Sequence, residues 1–223
     1  MNVVLFGATG MVGQGVLREC LLDPEVQSVV SVVRRSSGRA HSKLRDLVHE
    51  NFHDFSSIEA ELSGKDACFF CLGVSSLGLT EEAYRSVTYD ITVAATRTLA
   101  KVSPKMTFIF VSGAGSDRTG RGPTMWARVK GMAENAVLNA PFRASYVFRP
   151  SYIQPMHGVT SRTRLYRVFY AISRPVMQLL VPLMPKYATT TEQIGRAMLD
   201  VAKHGAPKRV LESADINAIR GKS

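Results

Sequence analysis

The chain has 223 residues, 45% of them hydrophobic, and a formal charge of +10; that length and apolar content suit one domain with one large core. Three cysteines without disulfide-type spacing exclude a disulfide-stapled secreted fold and point to a reducing, cytoplasmic setting. Residues 1–111 hold 11 Lys/Arg against 12 Asp/Glu and residues 112–223 hold 17 against 6, so the basicity lies in the second half and favours an anionic partner. The basic residues are not interleaved with aromatics in any nucleic-acid motif. A phosphorylated cofactor or substrate, or an anionic membrane surface, is the expected partner, and nucleic acid is not.

The first expected strand, Val3–Phe6, lies so near the N-terminus that no targeting segment is expected ahead of the fold. It ends at Gly7, and an amphipathic pattern over 11–22 predicts the first helix. Val29–Val33 is the second strand, and the stretch before Asp54 reads as leading into a third. Ala67–Leu72, Thr107–Val111 and Ser145–Phe148 follow as further strands, with helical patterns at 80–102 and 124–139 between them. Apolar runs such as "CFFCL" and "FIFV" suit strands covered on both faces. After Arg149-Pro150 the pattern turns irregular, with prolines at 155, 175, 182 and 185, before a closing helix near 191–203. Strand and helix in alternation imply an α/β fold, a doubly wound parallel sheet of the Rossmann type. Residues 1–223 read as one domain, with 151–190 as a small substrate-side lobe.

The strongest chemical signal is "VVLFGATGMVGQGVL". Gly7 allows a tight turn after the strand, Gly10 lets backbone approach a pyrophosphate, and Gly13 permits close packing of helix on sheet. The helix N-terminus that follows offers N–H groups and a positive dipole to an anion. At the end of the second strand, where a carboxylate would accept a ribose 2′-hydroxyl, stand Arg34 and Arg35, followed by Ser36 and Ser37. Two guanidiniums and two hydroxyls suit a 2′-phosphate, so NADP is expected, with NAD as the alternative.

Three further patterns carry less. "HENFH", 49–53, matches H-E-x-x-H, but on an extended chain the two histidines would stand about 13 Å apart, so no metal site is expected. Cys68 and Cys71 match C-x-x-C, but within a strand they point to opposite faces. In and just before the stretch 164–185, Arg162, Arg164, Arg167 and Arg174 lie near Leu165, Phe169, Ile172 and Val176. The stretch holds no run of about 18 apolar residues. It could pack on the core or a partner subunit, cap a substrate pocket or lie on an anionic membrane.

"GATGMVG", "VVRR", "HDF" at 53–55, "DACFFCLG" at 66–73, "FIFVSGAG" at 108–115, "VKGMAE" at 129–134 and "FRPSYI" at 148–153 together resemble the atypical, NAD-dependent-epimerase-like short-chain dehydrogenase/reductases, in order over nearly the whole chain. The resemblance implies that Gly7, Thr9, Gly10, Met11, Val12 and Gly13 cradle the cofactor phosphates, with Asp54 and Phe55 by the adenine and Leu72 and Gly73 by the ribose and phosphates. It further implies that Ser112 orients a substrate carbonyl, Lys130 binds the nicotinamide ribose, and Pro150 to Ile153 line the nicotinamide pocket. Four residues before the lysine the family has tyrosine, and this chain has Trp126. Indole N–H donates a hydrogen bond but cannot titrate. Tyr84, Tyr89, Tyr152 and His157 are candidate replacements, with Tyr152 and His157 favoured because they follow the strand expected to end at the nicotinamide. The expected function is hydride exchange with an unidentified small carbonyl or alcohol; the alternative is a dinucleotide-binding sensor or interaction module with little catalysis.

Overall fold

The computed structural model describes residues 1–159 and 184–219. In chain order these form β1 (Asn2–Phe6), α1 (Met11–Leu22), β2 (Ser28–Val33), β3 (Leu44–Val48), α2 (Glu59–Leu62), β4 (Ala67–Phe70), α3 (Glu81–Arg85), a π-helical turn (Ser86–Asp90), α4 (Ile91–Val102), β5 (Thr107–Val111), α5 (Met125–Leu138), β6 (Ala144–Arg149), β7 (Tyr152–Gln154), β8 (Ala188–Thr190), α6 (Thr191–His204), β9 (Val210–Glu212) and α7 (Ser213–Ala218). Seven strands make one sheet in the order β3-β2-β1-β4-β5-β6-β9, every neighbouring pair parallel. β7 and β8 pair separately, also in parallel.

Period-two alternation on strands buried from both sides sorts the core. Val3, Leu5, Phe69 and Ile109 face a layer built from Val16 and Leu17 of α1 and Ile194 and Met198 of α6. Val4, Phe6, Phe70, Phe108 and Phe110 face Ala95 and Leu99 of α4 and Val137 of α5. Helices on both faces of a parallel sheet are the doubly wound arrangement that the alternating sequence predicts. The strand order reverses between β1 and β4, and the C-terminal ends of the strands on either side of that reversal open the crevice where such sheets bind ligands.

One expectation needs correction. The third strand is Leu44–Val48, paired residue by residue with β2 from Val29 to Val33, so "HENFH" follows it instead of leading into it. The extended chain breaks because the Asn51 side chain accepts from the His53 N–H (3.1 Å) while its carbonyl accepts from the Asp54 N–H (3.2 Å), a turn of the kind asparagine initiates. The His49 ring donates its Nε2 proton to the carbonyls of Asn51 and Asp54, both at 2.7 Å, which leaves that nitrogen no lone pair for a metal. Cys68 lies in the core on one face of the sheet and Cys71 packs toward the other; neither is in a disulfide. The arginine-rich stretch at 164–185 falls, apart from its last two residues, outside the described residues, as does most of the expected lobe. Among the described residues no helix is long and apolar enough to cross a membrane.

Candidate dinucleotide site

The glycine loop joins β1 to α1 at the strand-order reversal. Gly7 has φ +79°, a conformation that disfavours a side chain, and a Cβ there would stand 2.7 Å from the backbone of Cys71 and Leu72 at the end of β4. A Cβ on Gly13 would fall 2.0 Å from the carbonyl oxygen of Gly7, so only glycine lets α1 start this close to the sheet. The loop closes on itself through the Gly10 N–H, which donates to the Gly7 carbonyl at 2.9 Å. No side chain caps α1 and its first turn holds no acidic residue. The N–H groups of Met11, Val12 and Gly13, which have no partner within the helix, therefore present uncompensated positive potential to the crevice.

Beside the loop opens a cavity of about 580 Å³ lined by Gly7, Thr9, Val32, Val33, Arg34, Arg35, Glu50, Phe52 and Leu72. Arg34 and Arg35 are exposed and have no ion-pair partner among the described residues. The turn that carries them is held from β3: Asp46 Oδ2 accepts from Ser37 N (2.6 Å), Ser37 Oγ (2.8 Å) and Ser36 Oγ (3.0 Å). Burial would raise the Asp46 carboxyl, but the Ser37 N–H and the two hydroxyls outweigh it and hold the group below the usual carboxylate range. The hydroxyl protons of Ser36 and Ser37 thus go to Asp46, and the guanidiniums are left to meet an anion. Arg39 reaches back to Gln14 on α1 (3.2 Å), and Gln14 in turn donates to the Thr9 carbonyl (3.2 Å).

The other half of the crevice lies over β5 and β6. The parallel ladder runs past the end of β5, with Ser112 N donating to the Phe148 carbonyl (2.8 Å) and Ala114 N to the Pro150 carbonyl (3.1 Å), which sets the Ser112–Ala114 turn along Arg149 and Pro150. Ser116 Oγ donates to the Gly113 carbonyl (2.8 Å) and lies 2.9 Å from Ser112 Oγ. With one proton per hydroxyl, Ser112 donates to Ser116 and offers its lone pairs outward. Lys130 of α5 points back at the same strand end, its Nζ 3.4 Å from the Val111 carbonyl and 5.6 Å from the Phe110 ring centroid. Burial pulls this ammonium down to about 8, against the attraction of Glu134 one turn later. Glu134, fully buried, holds Arg149 of β6 through two hydrogen bonds of 2.9 and 2.5 Å, tying α5 to the sheet.

Trp126 stands one turn before Lys130, its ring 3.7 Å from where a Gly115 side chain would begin. The loop from Ser112 to Thr124 is folded against α5 by a second close approach, since a Cβ on Gly131 would lie 1.8 Å from the Asp117 carbonyl. Asp117 organises that loop. Its carboxylate accepts from the Thr119 hydroxyl and from the Gly122, Thr119 and Arg121 N–H groups, which draw it down to about 2.

The remaining expected site residues are dispersed. Phe55 is fully buried against Phe6 and Phe52, and Asp54 is exposed with its carboxylate on Ser56; Glu50 and Phe52 line the cavity from this segment. Gly73 is exposed beyond Leu72. Tyr152 and Ile153 sit on β7, held by the Tyr152 N–H to the Tyr187 carbonyl (3.0 Å). His157 turns away to Glu192 at the start of α6 (2.5 Å). Tyr84 is buried in α3, and Tyr89 lies beneath the Arg85 guanidinium (5.1 Å). Asp46, Ser116 and Asp117 are the residues that motif reading passed over, and Glu50 entered it only within H-E-x-x-H. Asp46 alone carried a signal, as an isolated carboxylate on a strand adjoining the arginine turn.

The protein called FMP52, mitochondrial, of Meyerozyma guilliermondii is 25% identical over 211 residues, covering 91% of this chain and 85% of that protein. The FMP52 protein of Candida albicans is 23% identical over 154 residues, 67% of this chain and 66% of that one. Among solved structures, the Bordetella bronchiseptica enzyme WbmF in complex with NAD+ superposes with a TM-score of 0.68 at 14% identity, covering 97% of this chain and 76% of that one. UDP-glucuronic acid 4-epimerase from Bacillus cereus, in complex with NAD, gives 0.66 at 12% identity, covering 95% and 76%. The NAD dependent epimerase/dehydratase family matches residues 3–176, a span that includes the glycine loop, the arginine turn, Ser112, Lys130 and Pro150. The chain belongs to the NAD dependent epimerase/dehydratase family.

Proposed function

We propose that the chain is an NADP(H)-dependent oxidoreductase acting on a small carbonyl or alcohol compound. The observation that carries this reading is the pair of guanidiniums, Arg34 and Arg35, on the wall of the cavity beside the glycine loop. The cavity fits a dinucleotide: glycine backbone and free helix N–H groups suit a pyrophosphate, and the arginines suit a 2′-phosphate. NAD is the alternative cofactor, with Glu50 on the same wall as the carboxylate for its ribose hydroxyls. A bound nicotinamide supplies or accepts a hydride at its ring. Around that ring, Lys130 would hold the ribose hydroxyls, Pro150 and Ile153 would flank the ring, and the outward lone pairs of Ser112 would accept from a substrate hydroxyl.

The test is the melting temperature with each cofactor. NADPH is expected to raise it far more than NADH, and Arg34→Ala with Arg35→Ala to erase the difference. Equal stabilisation of the native protein by both would overturn the NADP assignment.

A second reading, a dinucleotide-binding module with little catalysis, draws on Trp126, which cannot exchange a proton where the family's tyrosine does. For the oxidoreductase reading the proton must come from another group, and Tyr152 is our candidate. Tyr152→Phe is expected to lower turnover with cofactor affinity unchanged; unaltered turnover would remove Tyr152 from that role. For the compartment we keep the cytoplasm, on three free cysteines; the fungal relatives carry "mitochondrial" in their own names.

A further inference from the structure

The segment Gly73–Thr80 runs from the cofactor cavity, which Leu72 lines, to the start of α3. There Glu81 pairs with Arg128 of α5 at 2.7 Å, between Trp126 and Lys130 in sequence. The segment therefore crosses the mouth of the crevice beside the loop that follows Ser112. It holds no charged residue, and it exposes three aliphatic side chains: Leu77 at 71%, Val74 at 44% and Leu79 at 38%. The exposure is built in. Leu77 N–H is held by Ser75 Oγ (3.2 Å), Leu79 N–H by the Ser76 carbonyl (3.1 Å), and Gly78 takes φ +78° to complete the turn. Two backbone N–H groups are satisfied inside the segment while the apolar side chains are left in water, a cost that a ligand or partner usually offsets. On the facing wall, Arg118 is held by Asn135 (2.8 Å), and Arg128 by Glu81 and the Gly122 carbonyl (both 2.7 Å). Two of the cations on this side, Arg118 and Arg128, are thus already engaged.

Resting on the oxidoreductase reading, we infer that the substrate is an apolar carbonyl or alcohol compound, a medium-chain aliphatic or an aromatic one, whose hydrocarbon part lies on Val74, Leu77 and Leu79. The occupant follows from continuity. The apolar rim adjoins the cavity through Leu72 and the loop that follows Ser112 through the contacts of Arg128 with Glu81 and the Gly122 carbonyl, so a molecule with its oxygen in the Ser112–Lys130 half, toward the Lys130 ammonium, and a tail of several carbons reaches it. A sugar joined to a nucleoside diphosphate would place charge against aliphatic side chains.

The test uses the full-length protein with NADPH and the aldehydes butanal, hexanal, octanal and decanal, beside glyceraldehyde and UDP-glucose. kcat/KM is expected to climb from butanal to octanal by about tenfold overall, the low-end gain of a single methylene in an enclosed apolar pocket, because this rim is open to water. Leu77→Ser with Leu79→Ser should flatten the series through KM. In parallel, 1-octanol should raise the melting temperature of the NADP+-saturated protein more than 1-butanol does, and the double variant should lose that gain. Octanol binding that survives without turnover of any aldehyde would sink the oxidoreductase reading and leave the apolar site standing. No chain-length dependence in either measurement, or stabilisation by UDP-glucose in place of octanol, would overturn the apolar site itself.

Discussion

The two halves of the crevice are built by the same rules and differ in one respect. Over β1, β2 and β4 stand elements suited to a dinucleotide: a glycine loop that tolerates no side chain, an uncapped helix N-terminus, and two arginines without an ion-pair partner among the described residues, on a turn held by Asp46. Over β5 and β6 the framework is equally firm, with Ser112 laddered to β6, Lys130 aimed at the strand end and the buried Glu134–Arg149 pair behind it, yet the proton-exchanging residue of the family is replaced by Trp126. On the proposed reading the crevice keeps its cofactor grip and its scaffold while its chemistry changes. Binding and turnover become separable properties, and substitutions can set them against each other.

The largest effect should come from the scaffold of the reactive half. Glu134→Ala leaves Arg149 facing a buried gap and should cost about 3–5 kcal/mol of stability, measured by urea unfolding. A cost under about 1 kcal/mol would mean that the pair is dispensable. Next come two glycines that separate the halves. Gly13→Val and Gly131→Ala each drive a carbon into a backbone carbonyl, at 2.0 and 1.8 Å before relaxation, and each should cost about 1–3 kcal/mol. Only Gly13→Val should abolish NADPH binding, however, while Gly131→Ala disturbs the Asp117 loop; loss of binding in both would erase the distinction. Asp46→Ala should weaken NADPH binding about tenfold by loosening the arginine turn, on the scale of charge-assisted hydrogen bonds, with NADH binding little changed. Titration calorimetry with both cofactors checks it.

The smallest effect on binding accompanies a pH dependence at Lys130. The unfolded lysine keeps its proton to about 10.5 whereas the folded one releases it near 8, so between those values the unfolded state binds more protons and stability rises with pH. Lys130→Met should abolish that rise. Cofactor affinity should move the other way in the native protein, weakening a few-fold as the ammonium is lost above pH 8; affinity flat from pH 7 to 9.5 would remove Lys130 from the ribose.

The sheet was legible from sequence because its strands are short apolar runs covered on both faces and its helices carry clear periodicity, so β1, α1, β5 and α5 fall within a residue or two of expectation. β3 was misplaced because "LRDLV" at the sheet edge is half polar, and apolar content was the signal in use. Gly7, Gly10 and Gly13 could be read because their spacing reflects a local constraint, a strand meeting a helix. The roles of Asp46, Ser116 and Glu50 could not, because they depend on which loops the tertiary fold brings to them. Likewise, the sequence shows two arginines after β2 but not that they lack ion-pair partners among the described residues while Ser36 and Ser37 are bound to Asp46.

The most direct test of separable binding and chemistry is the dissociation constant of NADPH for the native protein and for Trp126→Tyr, measured beside octanal reduction by the same two proteins. Unchanged NADPH affinity with reduction raised about 100-fold by the restored hydroxyl, at the low end of general-acid contributions, is the predicted result. An affinity that shifts with Trp126, or a reduction rate indifferent to it, would contradict the account.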